Sequence, residues 1–242
     1  MRPVVTLDRV TKRYGDLVAL DEVTLAVPQG RFVAVMGPSG SGKSTLLHCA
    51  AALDRPTSGT VKMGGTDVGR LSETKRTVLR RKHAGFVFQS YNLLPAISVQ
   101  DNITLPLRLA GVRPDREWLD ELVHRVGLRD RLHHKPAALS GGQQQRAAIV
   151  RALAARPDVV FADEPTGALD LRSAGQVLDL LRELVDELGQ TVVMVTHDPA
   201  AATRAHETLV MADGRVIDVL DAPAPEELAV RLTRLAGGEP VR

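Results

Sequence analysis

The octet Gly37-Pro38-Ser39-Gly40-Ser41-Gly42-Lys43-Ser44 fits the pattern G-x-x-x-x-G-K-[ST] and follows directly on the apolar stretch from Arg31 to Met36 (Phe32-Val33-Ala34-Val35). An uninterrupted apolar run of this length reads as a parallel strand buried on both faces. A helix is expected after it, from about Lys43 to Leu53, stopped near Pro56. Strand, glycine-rich loop and helix in this order make a polyphosphate cradle. Gly37, Gly40 and Gly42 let backbone N–H groups crowd around the anion beside Ser39, and the helix N-terminus adds its positive dipole. Lys43 supplies a full charge to the β- and γ-phosphates, and Ser44 offers a hydroxyl to Mg²⁺.

The rest of the chain alternates in the way such a strand requires. Short β-like stretches, Val4 to Val10 and Val23 to Val27, flank Tyr14-Gly15-Asp16, and Thr60 to Val68 reads as a hairpin around Gly64-Gly65. Ser72 to Lys82 reads as a charged helix, and Gly85 to Phe88 as a strand ending at Gln89. Val99 to Val126 is helical with a break at Gly111-Val112-Arg113-Pro114, and a helix from Gly142 to Ala155 leads into the strand Val159 to Ala162. From about Arg172 to Leu188, Val177, Leu180, Leu181, Leu184 and Leu188 form an amphipathic stripe closed by Gly189. The buried strand Thr191 to Val195 follows, then a hairpin at Asp213-Gly214. Strand–helix alternation of this kind predicts an α/β fold with a parallel sheet covered by helices on both faces. After Ala222-Pro223-Ala224-Pro225 a short helix opens with Glu226-Glu227, in a tail that ends at Gly237-Gly238.

Carboxylates at the end of a buried strand need a reason, and Asp163-Glu164 sit at the end of Val159 to Ala162. The carboxyl edge of a doubly wound sheet is where ligands bind. There Asp163 can hold Mg²⁺ and Glu164 can orient and polarise an attacking water. His197 ends the next apolar strand and could stabilise charge developing on the γ-phosphate. Gln89 completes the edge as a neutral ligand for Mg²⁺ or water. The other histidines (His48, His83, His124, His133, His134 and His206) have no such placement and read as structural. Ser140-Gly141-Gly142-Gln143 opens a helix with a capping serine and two small residues, an arrangement that can be a simple cap or an anion site.

Bulk properties exclude several classes. A formal net charge of +2 over 242 residues gives no case for nucleic-acid binding. No uninterrupted apolar run exceeds five residues (Cys49 to Leu53), against the roughly 20 needed to span a bilayer. The start, Met1 to Thr6, has no basic-then-apolar signal pattern, and a single cysteine, Cys49, suits a reducing compartment. The expectation is a cytoplasmic chain that meets a membrane only through a partner.

The string Leu139-Ser140-Gly141-Gly142-Gln143-Gln144-Gln145-Arg146, between the phosphate loop and Asp163-Glu164, resembles the signature of the ABC ATPases. The resemblance runs from about Val4 to Ile217. It implies a single ATP-binding domain over 1–242: a P-loop NTPase parallel-sheet core, an antiparallel β subdomain, an inserted helical subdomain at about 90–156 and a helical tail at about 222–242. It further implies that Tyr14 stacks on adenine and that Lys43, Ser44 and Thr45 bind phosphates and Mg²⁺. Gln89 would be the hinge toward the membrane partner, Glu164 the catalytic base, and Asp170 a residue communicating across a dimer. Ser140 and Gly142 would serve the ATP of the opposite subunit, which makes a head-to-tail homodimer obligatory. Ala168 stands where relatives often carry Ser.

Within the family, Phe86 to Pro95 and Phe161 to Gly167 look like the lipoprotein-release and macrolide-export branch. That branch implies a separate permease with a large extracytoplasmic domain and a site of work on the inner face of the cell membrane. An importer subunit and the ATPase of a regulatory complex acting on a kinase or cell-wall hydrolase stay open as alternatives. Chromosome-maintenance relatives do not fit: 96 residues separate Lys43 from Ser140, too few for their long coiled coils. Translation-type relatives carry two such domains in one chain, and this chain has one. The apolar segment Tyr91-Asn92-Leu93-Leu94-Pro95 is expected to face the permease.

Overall fold

The computed structural model describes residues 2–236; the Gly237-Gly238 end of the tail lies outside them. The elements run β1 (Pro3–Tyr14), β2 (Leu17–Pro28), β3 (Phe32–Met36), α1 (Lys43–Ala50), β4 (Ser58–Met63), β5 (Thr66–Asp67), α2 (Glu73–His83) and β6 (Ala84–Phe88). Then come α3 (Val99–Ala110), α4 (Arg116–Arg125), α5 (Gly141–Leu153), β7 (Val159–Asp163), α6 (Leu171–Leu188), β8 (Thr191–Val195), α7 (Pro199–Ala202), β9 (Glu207–Ala212), β10 (Arg215–Asp221) and α8 (Pro225–Ala236).

Two sheets result. The larger has the order β10-β9-β3-β8-β7-β6, parallel from β9 to β6 with β10 antiparallel at its edge. The smaller is antiparallel, in the order β2-β1-β4-β5. Strand β3 shows why its sequence is apolar throughout. Phe32, Ala34 and Met36 enter one core with helices α3, α5 and α6, while Val33 and Val35 enter a second core with α1 and the antiparallel sheet. Burying a side chain such as Phe32 or Met36 stabilises the fold by about 1.5–3 kcal/mol, so a charge on either face would be costly.

Three boundaries differ from the sequence reading or refine it, each for a local reason. Strands β1 and β2 run 12 residues each, longer than the β-like stretches at Val4 to Val10 and Val23 to Val27. Register shifts and the positive φ of Arg9 and Glu22 interrupt their alternation, so period-2 patterning underestimates them. Helix α1 ends at Ala50 rather than Leu53, because Ala52 turns left-handed and the N–H groups of Leu53 and Asp54 fold back onto the His48 carbonyl. The hairpin at Asp213-Gly214 has positive φ at both residues, as a two-residue turn matching strand twist requires.

Between β6 and β7 the chain leaves the sheet to build α3, α4 and α5. Trp118 Nε1 donates to the Leu153 carbonyl at 3.0 Å, which ties α4 to the end of α5. Arg125 at the end of α4 reaches Glu183 and Glu187 on α6. Among the described residues no helix is long and apolar enough to cross a membrane.

Candidate functional site

The phosphate loop fits between two other strands with almost no room. A Cβ on Gly37 would lie 2.2 Å from the Met211 carbonyl of β9, and one on Gly42 would lie 2.3 Å from the Ala19 carbonyl of β2. Gly42 also has φ +97°, and no side chain caps α1 behind it. The first-turn N–H groups of α1 therefore face the loop without a side-chain acceptor, which is the condition for anion binding at a helix start. Lys43 Nζ donates to the carbonyls of Gly37 and Pro38, both at 2.8 Å, so two of its three donors are used. Burial pulls the Lys43 ammonium below its usual pKa, against the pull of Glu164 and Asp163 in the other direction.

Strands β6, β7 and β8 end level with one another, since Phe88 pairs with Asp163 and Asp163 with Val195. Each next residue therefore emerges at one edge. Gln89, Asp163 and Glu164 line a single cleft of about 340 Å³ with Ser44, Phe88, Ser90 and Asn92. Glu164 is held in a left-handed conformation, φ +46°, with its N–H on the Val195 carbonyl at 2.9 Å. Its Oε2 lies 2.9 Å from His197 Nδ1. Burial raises the Asp163 carboxyl above the ordinary carboxylate range; His48 and Lys43 oppose that shift and Glu164 reinforces it.

The donor set in the cleft suits Mg²⁺: the hydroxyls of Ser44 and Ser90, the amides of Gln89 and Asn92 and the carboxylates of Asp163 and Glu164 all offer hard oxygen ligands. Among the described residues no group of three or more His, Cys, Asp or Glu side chains is placed to hold a metal. Mg²⁺ suits such an incomplete set, because it takes few protein ligands and fills its octahedron with phosphate oxygens and water.

Ser140 is a helix cap. Its Oγ accepts from Gln143 N–H at 3.3 Å and Gln143 Oε1 accepts from Ser140 N–H at 3.0 Å, closing a capping box on α5. Gly141 and Gly142 allow close packing, since a Cβ would meet Tyr91 Oη at 2.8 Å and Ser173 Oγ at 3.1 Å respectively. Asp170 likewise caps α6, accepting from the Ser173 N–H and Ser173 Oγ. Ser140 to Gln143 and Asp170 thus sit side by side at two helix starts, and none of them lines the cleft that holds Ser44 and Glu164.

Tyr14 ends β1 with its ring half exposed and its hydroxyl donating to Asp54 Oδ2 at 2.6 Å. Thr45 follows Ser44 in the first turn of α1. The segment after Gln89 is divided between packed and exposed residues. Tyr91 is not a free surface aromatic: its hydroxyl donates to the Ala168 carbonyl at 3.2 Å, and its own carbonyl accepts from Arg151 at 2.8 Å. Leu93 packs against the core, whereas Leu94 is 47% exposed. Sequence reading missed Arg151 and Asp54. Arg151 carried a signal, as the one charged residue in Ala147 to Leu153; Asp54 in a short loop carried none.

The family model described as "ABC transporter" matches residues 20–167, more than half of the chain. A macrolide export ATP-binding/permease protein MacB 1/2 of Paracoccus denitrificans is 47% identical over 221 residues, covering 89% of this chain and 33% of that protein. MacB of Burkholderia pseudomallei is 45% identical over 221 residues, with 89% and 34% covered. The chain thus spans about a third of the length of these curated relatives. Among solved structures, the ATP-binding cassette MJ0796, a dimer in a post-hydrolysis state bound to ADP and Pi, superposes with TM-score 0.80 at 40% identity over 91% of this chain and 99% of that one. The cbiO1 protein of Clostridium perfringens, part of the cbiONQ ABC transporter complex, gives TM-score 0.84 at 27% identity, with 96% and 93% covered. With a phosphate loop, a signature cap and a strand-end carboxylate pair in their expected places, the chain belongs to the ATP-binding family of ABC transporters.

Proposed function

We propose that this chain hydrolyses ATP as one half of a head-to-tail homodimer and drives a membrane permease, in an export-type system. The observation that carries this reading is the level ending of β6, β7 and β8, which gathers Gln89, Asp163 and Glu164 opposite Ser44 with His197 against Glu164. The loop amides and Lys43 bind the polyphosphate. Ser44, Asp163 and Gln89 would hold Mg²⁺, which would neutralise charge between the β- and γ-phosphates. Glu164 orients water and takes its proton at a carboxylate oxygen, and the His197 pairing fixes the direction in which that carboxylate points. His197 itself lies at the edge where charge on the γ-phosphate develops.

Dimerisation is supported by what the monomer leaves apart. Ser140 and Asp170 are exposed helix caps, with Gly142 packed against Ser173 behind them, and none of the three lines the cleft, so one copy alone leaves them outside the nucleotide site. MJ0796 is described as a dimer bound to ADP and Pi. The export reading and the permease rest on the likeness to the two MacB proteins, which join ATP-binding and permease functions in one name; a large extracytoplasmic domain on that permease is what the resemblance at Phe86 to Pro95 and Phe161 to Gly167 implies. On this reading the chain works at the inner face of the cell membrane, held there by its partner. Affinity purification of the tagged protein from gently solubilised membranes tests the assignment. A co-eluting permease that stimulates ATPase activity is expected; recovery with a soluble enzyme, or no ATP hydrolysis in the complex, overturns it.

A further inference from the structure

Tyr14 is held by two residues that belong to neither the phosphate loop nor the strand-end edge. Its hydroxyl donates to Asp54 Oδ2 at 2.6 Å, while Lys12 Nζ donates to Asp54 Oδ1 at 2.7 Å and to the Arg55 carbonyl at 2.9 Å. The same ammonium stands 4.7 Å from the centroid of the Tyr14 ring. Asp54 is thus bound at both oxygens, and the Arg55 N–H adds a further bond to Oδ1 at 2.7 Å. The loop that carries it is stitched to β1 by Thr57 N–H on the Thr11 carbonyl at 2.7 Å and Arg13 N–H on Thr57 Oγ1 at 2.9 Å. The hydroxyl of Tyr14 is so firmly engaged that its pKa is pushed up to about 12, chiefly by the bond to Asp54.

We propose that Lys12 and Asp54 are positioning residues for nucleotide binding, which hold the Tyr14 ring at a fixed pitch with one face closed by the ammonium and the other presented to a nucleobase. This rests on the reading of Tyr14 as the base platform. Two effects act together. A ring pinned at its hydroxyl and covered on one face loses its rotamer freedom when the chain folds, not when nucleotide binds, so stacking is not offset by ordering. A cation over one face also draws π density toward itself. The opposite face becomes less negative and stacks better against an electron-rich purine. Asp54 serves both effects, since it anchors the hydroxyl and holds Lys12 in place. The arrangement links the base site to the loop that follows α1, the helix whose other end cradles phosphate.

The test compares ADP with inorganic pyrophosphate, which shares the phosphates and lacks the base. Equilibrium affinities are measured by competition for wild type, Tyr14→Ala, Asp54→Ala, Lys12→Met and the Tyr14→Ala/Asp54→Ala double variant. Asp54→Ala and Lys12→Met are each expected to weaken ADP roughly 2–10-fold, the range set by one aromatic stack, with pyrophosphate within about twofold of wild type. The double variant should be no weaker than Tyr14→Ala alone, because the residues act through the same ring. If Tyr14→Ala lowers the ADP-to-pyrophosphate ratio but the other two single variants do not, the positioning role is overturned and the base platform stands. If Tyr14→Ala leaves the ratio unchanged, both fall. Equal losses for both ligands in Asp54→Ala and Lys12→Met would make the pair a fold staple and overturn the proposal. Should Asp54→Ala fail to fold, Lys12→Met decides alone, since it keeps the bond from Tyr14 to Asp54.

Discussion

His197 Nδ1 lies 2.9 Å from Glu164 Oε2, joining the carboxyl ends of β8 and β7 across the cleft edge. The pairing is asymmetric in exposure: the histidine side chain is 70% exposed and the glutamate 27%. An exposed ring therefore orients the carboxylate of a residue whose backbone is itself held in a strained conformation, φ +46°.

Glu164→Gln keeps the shape of the site and removes the proton acceptor. Turnover is expected to fall about 10²–10⁴-fold while ATP still binds. An ATP-bound dimer should then accumulate and be visible by size exclusion. His197→Ala should cost about 10²–10³-fold in turnover, the range for losing one charge-stabilising donor. Because the two side chains touch, the double variant should be little worse than Glu164→Gln alone. Near-normal hydrolysis in Glu164→Gln would remove it from the role of base.

Two glycines of the phosphate loop should respond differently to alanine. Gly40 has φ +82° but open space where a methyl group would sit, with nothing within 4 Å. Gly42 has φ +97° and the Ala19 carbonyl 2.3 Å from where a Cβ would lie. Gly40→Ala should cost about 1–2 kcal/mol from backbone strain alone. Gly42→Ala adds a clash with backbone that cannot move aside, so its loss in thermal stability and in ATP affinity should be clearly larger. Equal effects would mean that strain, not the approach of β2, limits the loop.

The buried frame of this fold was legible because it obeys period and punctuation. The apolar runs at β3, β7 and β8, the glycine after α6 and the Asp213-Gly214 turn all predict their elements. So does the order of Lys43, Asp163 and His197, since each follows an apolar strand. Pairings across the chain were not legible. Nothing in the sequence places Asp54 against Tyr14, or turns the Tyr91 hydroxyl to Ala168, because those contacts depend on how loops pack. The bulged β1–β2 pair hid its length for the same reason, as the left-handed residues Arg9 and Glu22 carry no glycine mark.

Asp163 should weaken the nucleotide-free fold that it serves. Burial raises its folded-state pKa above the ordinary carboxylate value. For a carboxyl with a raised folded pKa, the folded state holds its proton longer than the unfolded chain does. Stability then falls as pH climbs from the unfolded value through the raised one, and the loss persists at neutral pH. Asp163→Asn removes the desolvated charge at constant shape. The midpoint of thermal unfolding without nucleotide at pH 7 should therefore rise. ATP hydrolysis should be lost. An unchanged or lower midpoint would mean that attraction between Asp163 and Lys43 outweighs desolvation.

Leu93 and Leu94 divide the segment after Gln89 between core and surface, and that division decides how to probe permease contact. Leu93 packs inward, so a polar residue there would unfold its surroundings and say nothing about docking. Tyr91 carries hydrogen bonds to Ala168 and from Arg151, so changing it would disturb the loops beside the signature cap as well. Leu94 is half exposed, and its N–H is already satisfied by Asn102 Oδ1 at 2.7 Å. Leu94→Ser therefore removes apolar surface without disturbing the backbone that presents it. Thermal stability should change by no more than about 0.5 kcal/mol, the range for surface substitutions, and ATP binding should stay at wild-type affinity. Co-purification with the permease and its stimulation of ATPase activity should both drop sharply. A Leu94→Ser protein that folds, binds ATP and still couples normally would move the contact away from this segment.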